Sequence, residues 1–157
     1  MSTTRYCEAG EHFVGRPLSV DGVLLRDNQV LLIRRGSEPE KGKWALPGGH
    51  VDFDETVEQA IARELKEEVG IDTPKLHFVG IFSRPERSEQ QTITMAFWCD
   101  SWAGEIQAGD DASAFCWYNI GKLPQDLAFD HALLIAEALN AYQVSLDELS
   151  DKKQKQA

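Results

Sequence analysis

The sequence predicts an α+β protein in which helices pack on a mixed β-sheet. Two patterns indicate this class: short apolar segments with the composition of strands, and two longer segments whose apolar residues recur at helical spacing. With 157 residues, the chain has the length of one compact domain. We expect that domain at residues 17–145, between an N-terminal extension at 1–16 and a polar C-terminal tail at 146–157.

The segments predicted as strands are short and are separated by polar turns. They are residues 18–25, 30–34, 44–46, 75–82, 92–99 and 115–119. The polar tetrapeptide at 26–29 predicts a hairpin between the first two strands. The Pro-Gly-Gly cluster at 47–49 predicts that the chain breaks after the third strand.

Two helices are expected, at 55–68 and at 131–142. Asp54 is the predicted N-cap of the first helix, and Gly70 lies just past its end. The second helix is indicated by the spacing of Leu134, Ala138 and Ala141. Residues 151–157 are polar, and we expect them to be frayed.

Composition and charge exclude several classes of protein. The chain carries 16 basic and 26 acidic residues, a net charge of -10, which argues against nucleic acid as a partner. No apolar run is long enough to span a membrane, and the first residues do not have the pattern of a secretory signal. Cys7, Cys99 and Cys116 are too widely separated to indicate a disulfide framework, and Cys7 with His12 supplies only two of the ligands that a zinc site needs. We therefore expect a cytoplasmic protein with a small-molecule ligand.

The first predicted helix carries an unusual acidic face. At about 100° per residue, one face is apolar at its beginning, with Val57, Ala60 and Ile61. The same face becomes acidic toward the end, with Glu64, Glu67 and Glu68 within an arc of roughly 100°. Three carboxylates near a helix C-terminus repel one another and oppose the helix dipole, so they need a cation. Mg²⁺ and Mn²⁺ prefer such oxygen ligands. The alternative is a solvated acidic patch, but the continuity with the apolar face and the preceding glycines favour a metal site.

Residues 49–71, GHVDFDETVEQAIARELKEEVGI, resemble the Nudix box, G-x5-E-x7-R-E-U-x-E-E-x-G-U, at every fixed position. The order of predicted elements from about residue 17 to residue 142 is also similar to that of the Nudix family. The resemblance implies the Nudix fold, an α/β/α sandwich with a mixed sheet. It also implies hydrolysis of a nucleoside diphosphate linked to another moiety, with Mg²⁺ or Mn²⁺ as the cofactor.

The resemblance also implies roles for individual residues. The metal ligands would be Glu64, Glu67, Glu68 and the carbonyl group of Gly48. Arg63 would pair with Glu55 or with a metal-binding carboxylate, although an ordinary surface ion pair with Glu67 is the alternative. The proton acceptor would be Glu67, or an acid of the later loop, Asp110 or Asp111; an acidic loop without a catalytic role is the alternative there.

The glycines and arginines near the box are further candidates. Gly48 and Gly49 would allow the backbone to approach metal and phosphate. Arg34 or Arg35 could donate to a phosphate, or could simply end a strand in solvent. Because side chains alternate along a strand, we expect only one of these two arginines to face the site.

Three later segments are similar to a subset of Nudix enzymes that hydrolyse ADP-ribose. They are residues 80–87 with Pro85, residues 108–112, and residues 127–131. The chain departs from that subset at 88–91, where Ser-Glu-Gln-Gln stands in place of a basic stretch. Phe129 could stack on adenine and Asp130 could accept from its amino group, although Asp130 is also a suitable helix cap.

The sequence therefore favours a pyrophosphatase for ADP-ribose or a related nucleotide sugar. A nucleoside triphosphate pyrophosphohydrolase that removes damaged nucleotides is the first alternative. A non-catalytic nucleotide-sugar sensor on the same fold is the second, and the intact set of carboxylates speaks against it. The sequence leaves homodimerisation open.

Overall fold

The computed structural model describes residues 4–6, 12–72, 74–109 and 112–155. Within these ranges lie nine strands: β1 (Thr4–Tyr6), β2 (His12–Val14), β3 (Leu18–Arg26), β4 (Gln29–Arg35), β5 (Trp44–Ala45), β6 (Gly48–His50), β7 (His77–Phe82), β8 (Ile93–Cys99) and β9 (Ala112–Asn119). The two α-helices are α1 (Val57–Val69) and α2 (His131–Lys155). Short 3₁₀ helices lie at Pro85–Arg87 and Ile120–Lys122.

Seven strands form a mixed sheet, and β1 and β2 form a separate antiparallel pair. The main path of the sheet is β5-β4-β3-β8-β7, with β6 added to β3 and β9 added to β4. The β3–β8 pair is parallel and the other pairs are antiparallel. Asp27 and Asn28 both have positive φ in the β3–β4 turn, as the tight turn of a two-residue hairpin requires.

The two helices pack on opposite faces of this sheet. Along β3, Val20 and Leu24 belong to the core cluster that contains α1, whereas Val23 and Leu25 belong to the cluster that contains α2. Alternate side chains of a strand point to opposite faces, so the strand is buried on both sides. The predicted fold class, an α/β/α sandwich with a mixed sheet, is confirmed.

The ends of both helices differ from the prediction. The N-cap of α1 is Thr56, whose side chain and that of Gln59 form a capping box, with Thr56 Oγ1 3.2 Å from the Gln59 amide nitrogen. Asp54 instead occupies a turn with φ of 67°. Gly70 caps the C-terminus in the left-handed conformation, as expected. Helix α2 continues well beyond residue 142, to Lys155, because no glycine or proline interrupts residues 143–155.

The helices and the cysteines bear on two of the sequence-based expectations, those about a membrane span and about disulfides. No helix within the described ranges is long and apolar enough to cross a membrane. Cys99 and Cys116 are free thiols. Cys7 and the side chain of His12, which were considered as partial metal ligands, lie outside the part of the chain that the structure describes.

Candidate active site

A cavity of about 760 Å³ opens where the sheet, the Gly48–His50 strand and the start of α2 meet. Its lining includes Asp21 of β3, Gly48 and Gly49 of β6, and Arg87 and His131 from the later elements. The volume lies within the range usual for small-molecule sites. The cavity therefore joins the Nudix box to segments that are distant in sequence.

The acidic face of α1 lies against the backbone of β6. The Gly48 amide nitrogen donates to Oε2 of Glu68 at 2.8 Å. A Cβ atom at Gly49 would overlap the Glu64 carboxylate, and one at Gly48 would overlap the carbonyl oxygen of Val20. Gly48 thus needs glycine because a side chain there would meet backbone, whereas a side chain at Gly49 would displace the Glu64 carboxylate. Gly48 and Gly49 line the cavity, so Glu64 and Glu68 contact residues of its wall without lining it themselves.

Arg63 connects the beginning of the box to its glutamates. Its Nε and Nη2 donate to the two Glu55 oxygens at 3.0 and 2.7 Å, and Nη1 donates to Glu64 at 2.7 Å and to Glu67 at 3.3 Å. Nη2 also donates to the carbonyl oxygen of His50 at 3.0 Å. The structure therefore contains the pair with Glu55, a pair with the predicted ligands, and the alternative pair with Glu67. The Arg63 hydrogen bonds lower the pKa of Glu55 to about 2.

Burial disfavours ionisation of two glutamates of the acidic face, Glu64 and Glu68. It raises the pKa of Glu68 to about 8, although the hydrogen bond from the Gly48 amide opposes that shift. Burial also raises the pKa of Glu64, and its hydrogen bond from Arg63 opposes this. The Glu67 side chain is 58% exposed. A cation would favour the ionised form of the two buried carboxylates.

The carboxylate oxygens of Glu64, Glu67 and Glu68 and the carbonyl oxygen of Gly48 have the chemistry of a site for a hard divalent ion. Among the described residues, however, no three acidic, histidine or cysteine side chains converge closely enough to hold an ion as they stand. The reason is visible in the hydrogen bonds: Glu64 and Glu67 pair with Arg63, whereas Glu68 accepts from Gly48. The donor set fits a metal, and its carboxylates would have to exchange these partners for it.

The predicted loop acids, Asp110 and Asp111, lie outside the described residues. Residues 107–109, which precede them, run alongside the last turn of α1. The Gln107 amide donates to the Val69 carbonyl at 3.0 Å, and the Gly109 amide donates to the Glu68 carbonyl at 2.8 Å. A Cβ atom at Gly109 would overlap the Glu67 carbonyl, so this approach also depends on glycine.

Alternation along β4 separates the two candidate arginines. Arg35 lines the cavity, with its guanidinium carbon 4.9 Å from the Phe129 ring centroid and its Nε donating to the Pro39 carbonyl at 2.9 Å. Arg34 instead lies over Trp44, at 5.2 Å, and does not line the cavity. Phe129 lines the cavity and is 38% exposed, so its ring is available to a ligand.

The neighbours of Pro85 and Asp130 differ from the substrate contacts that the sequence suggested for them. Pro85 begins the 3₁₀ helix that carries Arg87 and does not itself line the cavity. Both Asp130 oxygens accept from Arg87, at 2.7 and 3.0 Å, and Arg87 also donates to Thr94. The Asp130 carboxylate therefore binds a buried arginine, and Asp130 also lines the cavity.

Asp21 and His131 are buried polar residues of the cavity to which the sequence analysis gave no individual role, although His131 belongs to the segment 127–131. Asp21 is 9% exposed, and burial raises the pKa of its carboxyl group to about 7. His131 is 3% exposed; its Nδ1 accepts from the Leu46 amide at 2.9 Å, and burial lowers the pKa of its ring to about 3. The available signal for Asp21 was an isolated acid within the apolar strand LSVDGVLL.

Comparisons with known proteins agree with this architecture. The model of the NUDIX domain matches residues 15–138. The chain is 42% identical over 121 residues to ADP-ribose pyrophosphatase of Methanocaldococcus jannaschii, covering 76% of this chain and 71% of that protein. The chain belongs to the NUDIX family. It is an enzyme of the Nudix hydrolase class, and the interpretation of residues 49–71 as a Nudix box is confirmed.

Two solved structures are similar as well. The NUDIX domain of Shewanella oneidensis NrtR complexed with ADP ribose has a TM-score of 0.74 and 29% identity, with coverage of 83% of this chain and 90% of that one. A bifunctional NMN adenylyltransferase/ADP ribose pyrophosphatase from Francisella tularensis, complexed with AMP and a Mn ion, has a TM-score of 0.73 and 31% identity. That match covers 82% of this chain and 42% of the longer bifunctional chain.

The raised pKa of Glu68 predicts how the metal-free protein responds to pH. A folded-state pKa of about 8, above the unfolded value near 4.5, means that the folded form retains a proton which the unfolded form has lost. Stability should therefore decrease as pH rises from about 7 to about 8 and change little above about 9, where Glu68 is ionised in both states. His131 is neutral in both states throughout this window. Urea unfolding with a chelator present measures this slope, and Glu68→Gln should reduce it. An equally steep slope in the variant would contradict the assignment.

Proposed function

We propose that the chain hydrolyses the pyrophosphate linkage of ADP-ribose or a related nucleotide sugar, with a divalent metal ion. The observation that carries the proposal is the contact of Glu64 and Glu68 with Gly48 and Gly49, two residues that line a ligand-sized cavity. The 42% identity to an archaeal ADP-ribose pyrophosphatase supports the choice of substrate. The substrate is a small-molecule nucleotide.

The metal would be held by Glu64, Glu67 and Glu68 with the carbonyl group of Gly48. Mg²⁺ and Mn²⁺ both suit these oxygen donors, and the Francisella structure contains a Mn ion. When bound, the ion supplies positive charge that neutralises phosphate oxygens in the transition state.

Arg63 would act as a positioning residue. Its two hydrogen bonds to Glu55 and one to the His50 carbonyl connect the strand before the box to the helix within it. A guanidinium held by a planar pair of hydrogen bonds resists rotation. Arg63 therefore keeps α1 and the Gly48–Gly49 backbone in register, which sets the distance between metal and phosphate.

The proton of the attacking water would be taken by a carboxylate near the metal. Glu67 is the candidate within the box, and its exposed side chain can reach solvent. Asp110 and Asp111 are the candidates beyond the box, since residues 107–109 bring the chain to the last turn of α1. We retain both assignments as proposals.

The rest of the substrate would extend along the cavity. Phe129 offers a partly exposed ring on which adenine can stack. The guanidinium of Arg35 lies beside that ring, where its terminal nitrogens can donate to a phosphate. Because Asp130 is paired with Arg87, other groups would form the hydrogen bonds to the base.

A substrate panel tests the proposed activity. With Mg²⁺ or Mn²⁺, kcat/KM for ADP-ribose should exceed that for ATP, GTP and 8-oxo-dGTP, and the products should be AMP and ribose 5-phosphate. Removal of divalent ions by a chelator should abolish turnover, and added metal should restore it. Faster hydrolysis of a triphosphate at low concentration would favour the nucleotide-sanitising alternative, and activity that survives chelation would exclude the metal mechanism.

Replacement of one box glutamate tests the role of the acidic face. Glu67→Gln should lower kcat by orders of magnitude, because the amide neither accepts the proton nor neutralises the metal. Its fold should survive, since the native side chain is exposed. Glu58→Gln is the matched control, an exposed glutamate in the first turn of the same helix. Similar kinetics for the two variants would remove Glu67 from the mechanism.

The stacking role of Phe129 has its own test. Phe129→Ala should raise KM for ADP-ribose with a smaller change in kcat, because the ring contacts the base rather than the reacting phosphates. Phe115→Ala is a suitable control, since Phe115 is 37% exposed and Phe129 is 38% exposed, but Phe115 does not line the cavity. Steady-state kinetics of both variants separate a specific contact from a general loss of packing. An unchanged KM in Phe129→Ala would contradict the assignment.

A further inference from the structure

Asp21 is a buried acid for which the Nudix box provides no role. It lies on β3 directly opposite Gly48 of β6, and it lines the cavity with 9% of its surface exposed. Its carboxylate makes no hydrogen bond to the described residues. A buried carboxylate without a donor costs stability, so its retention in the core needs a reason other than folding.

The neighbouring charged groups do not satisfy Asp21. Asp130 and Arg87 bind each other, and Arg87 uses further donors on Thr94 and on the Thr92 carbonyl. His131 is 3.7 Å away, measured from its Nε2 to Oδ2 of Asp21, which is beyond hydrogen-bond distance. The Asp21 carboxylate thus faces the cavity and can accept a hydrogen bond from a ligand.

The state of His131 is determined by its other nitrogen. Because Nδ1 accepts from the Leu46 amide at 2.9 Å, the proton of the neutral ring must lie on Nε2. This N–H lies on the side of the ring that faces Asp21. The cavity floor therefore presents one donor and one acceptor side by side, 3.7 Å apart, a pattern that suits a ligand with two adjacent hydroxyl groups.

We propose that Asp21 and His131 bind the cis-diol of a ribose in the substrate, with Asp21 accepting from one hydroxyl and His131 donating to the other. This inference rests on the proposed function and extends it to a specificity contact. A pyrophosphate oxygen does not suit Asp21 as a partner because, unlike a hydroxyl group, it has no proton to donate to an acceptor. Since Asp21 lies across from Gly48, beside the end of the cavity where cleavage is proposed, the neighbouring part of the substrate is a ribose, which separates the pyrophosphate from the base.

ADP-ribose contains two riboses, and its hydrolysis products distinguish them. AMP carries one diol and ribose 5-phosphate carries the other. We expect Asp21→Asn to weaken competitive inhibition by one of these products on the order of tenfold and to leave the other unchanged. For that product, removal of both hydroxyls should weaken inhibition of the native enzyme but have little further effect in the variant.

The thermal stability and the metal affinity of Asp21→Asn distinguish a ligand contact from a structural role. Asp21→Asn should raise Tm at neutral to alkaline pH, because an unpartnered buried charge is removed, while KM for ADP-ribose rises. Calorimetric affinity for Mn²⁺ should be unchanged. Asp100→Asn, at an exposed acid just after β8, is the control and should alter none of these quantities.

Distinct outcomes overturn the inference and the proposed function separately. If the native enzyme does not hydrolyse ADP-ribose, the proposed function fails. If it does, but inhibition by neither product depends on the hydroxyls, the diol contact is wrong, and this arm requires no variant. A lower Tm with an unchanged KM would make Asp21 structural. Loss of Mn²⁺ affinity would assign it to the metal, and a dependence on the base instead of the hydroxyls would assign it to adenine.

Discussion

The close contact between the Gly48–Gly49 backbone and helix α1 is the constraint on which the site depends. The Gly48 amide binds Glu68, and the space that a side chain at Gly49 would need is filled by the Glu64 carboxylate. The same short strand pairs with β3, opposite Asp21, so one backbone segment joins the catalytic helix to the cavity. A side chain at Gly48 would meet the β3 backbone, and one at Gly49 would displace the Glu64 carboxylate.

That contact also places negative charge where folding alone would not. Glu64 and Glu68 lose hydration against the β6 backbone, and burial raises the pKa of both. Arg63 compensates part of this charge and is itself held by Glu55 and the His50 carbonyl. A bound cation would favour the ionised forms of these carboxyl groups, which burial disfavours in the metal-free protein.

The buried polar residues of the cavity floor follow a different principle. Arg87 is buried but fully engaged by Asp130, Thr94 and a backbone carbonyl, so its charge serves to position the start of α2. His131 is neutral, and its orientation is determined by a backbone amide. Asp21 stands apart because no such partner satisfies it. A polar group that is buried, unpaired and exposed only to a cavity is the arrangement expected of a ligand contact.

The sequence by itself determined the fold class, the box and the acidic face, because these depend on periodicity and on spacing within one helix. It also separated Arg34 from Arg35, since alternation along a strand is local. The cap at Thr56 and the full length of α2 depend on local signals that were misjudged. Only the tertiary structure could assign Asp130 to Arg87, 43 residues away, or bring Asp21 to His131, because such contacts are set by how β3, β8 and α2 pack. Contacts between residues that are distant in sequence leave no local sequence pattern. The box could therefore be identified from the sequence, whereas the residues of the cavity floor could not.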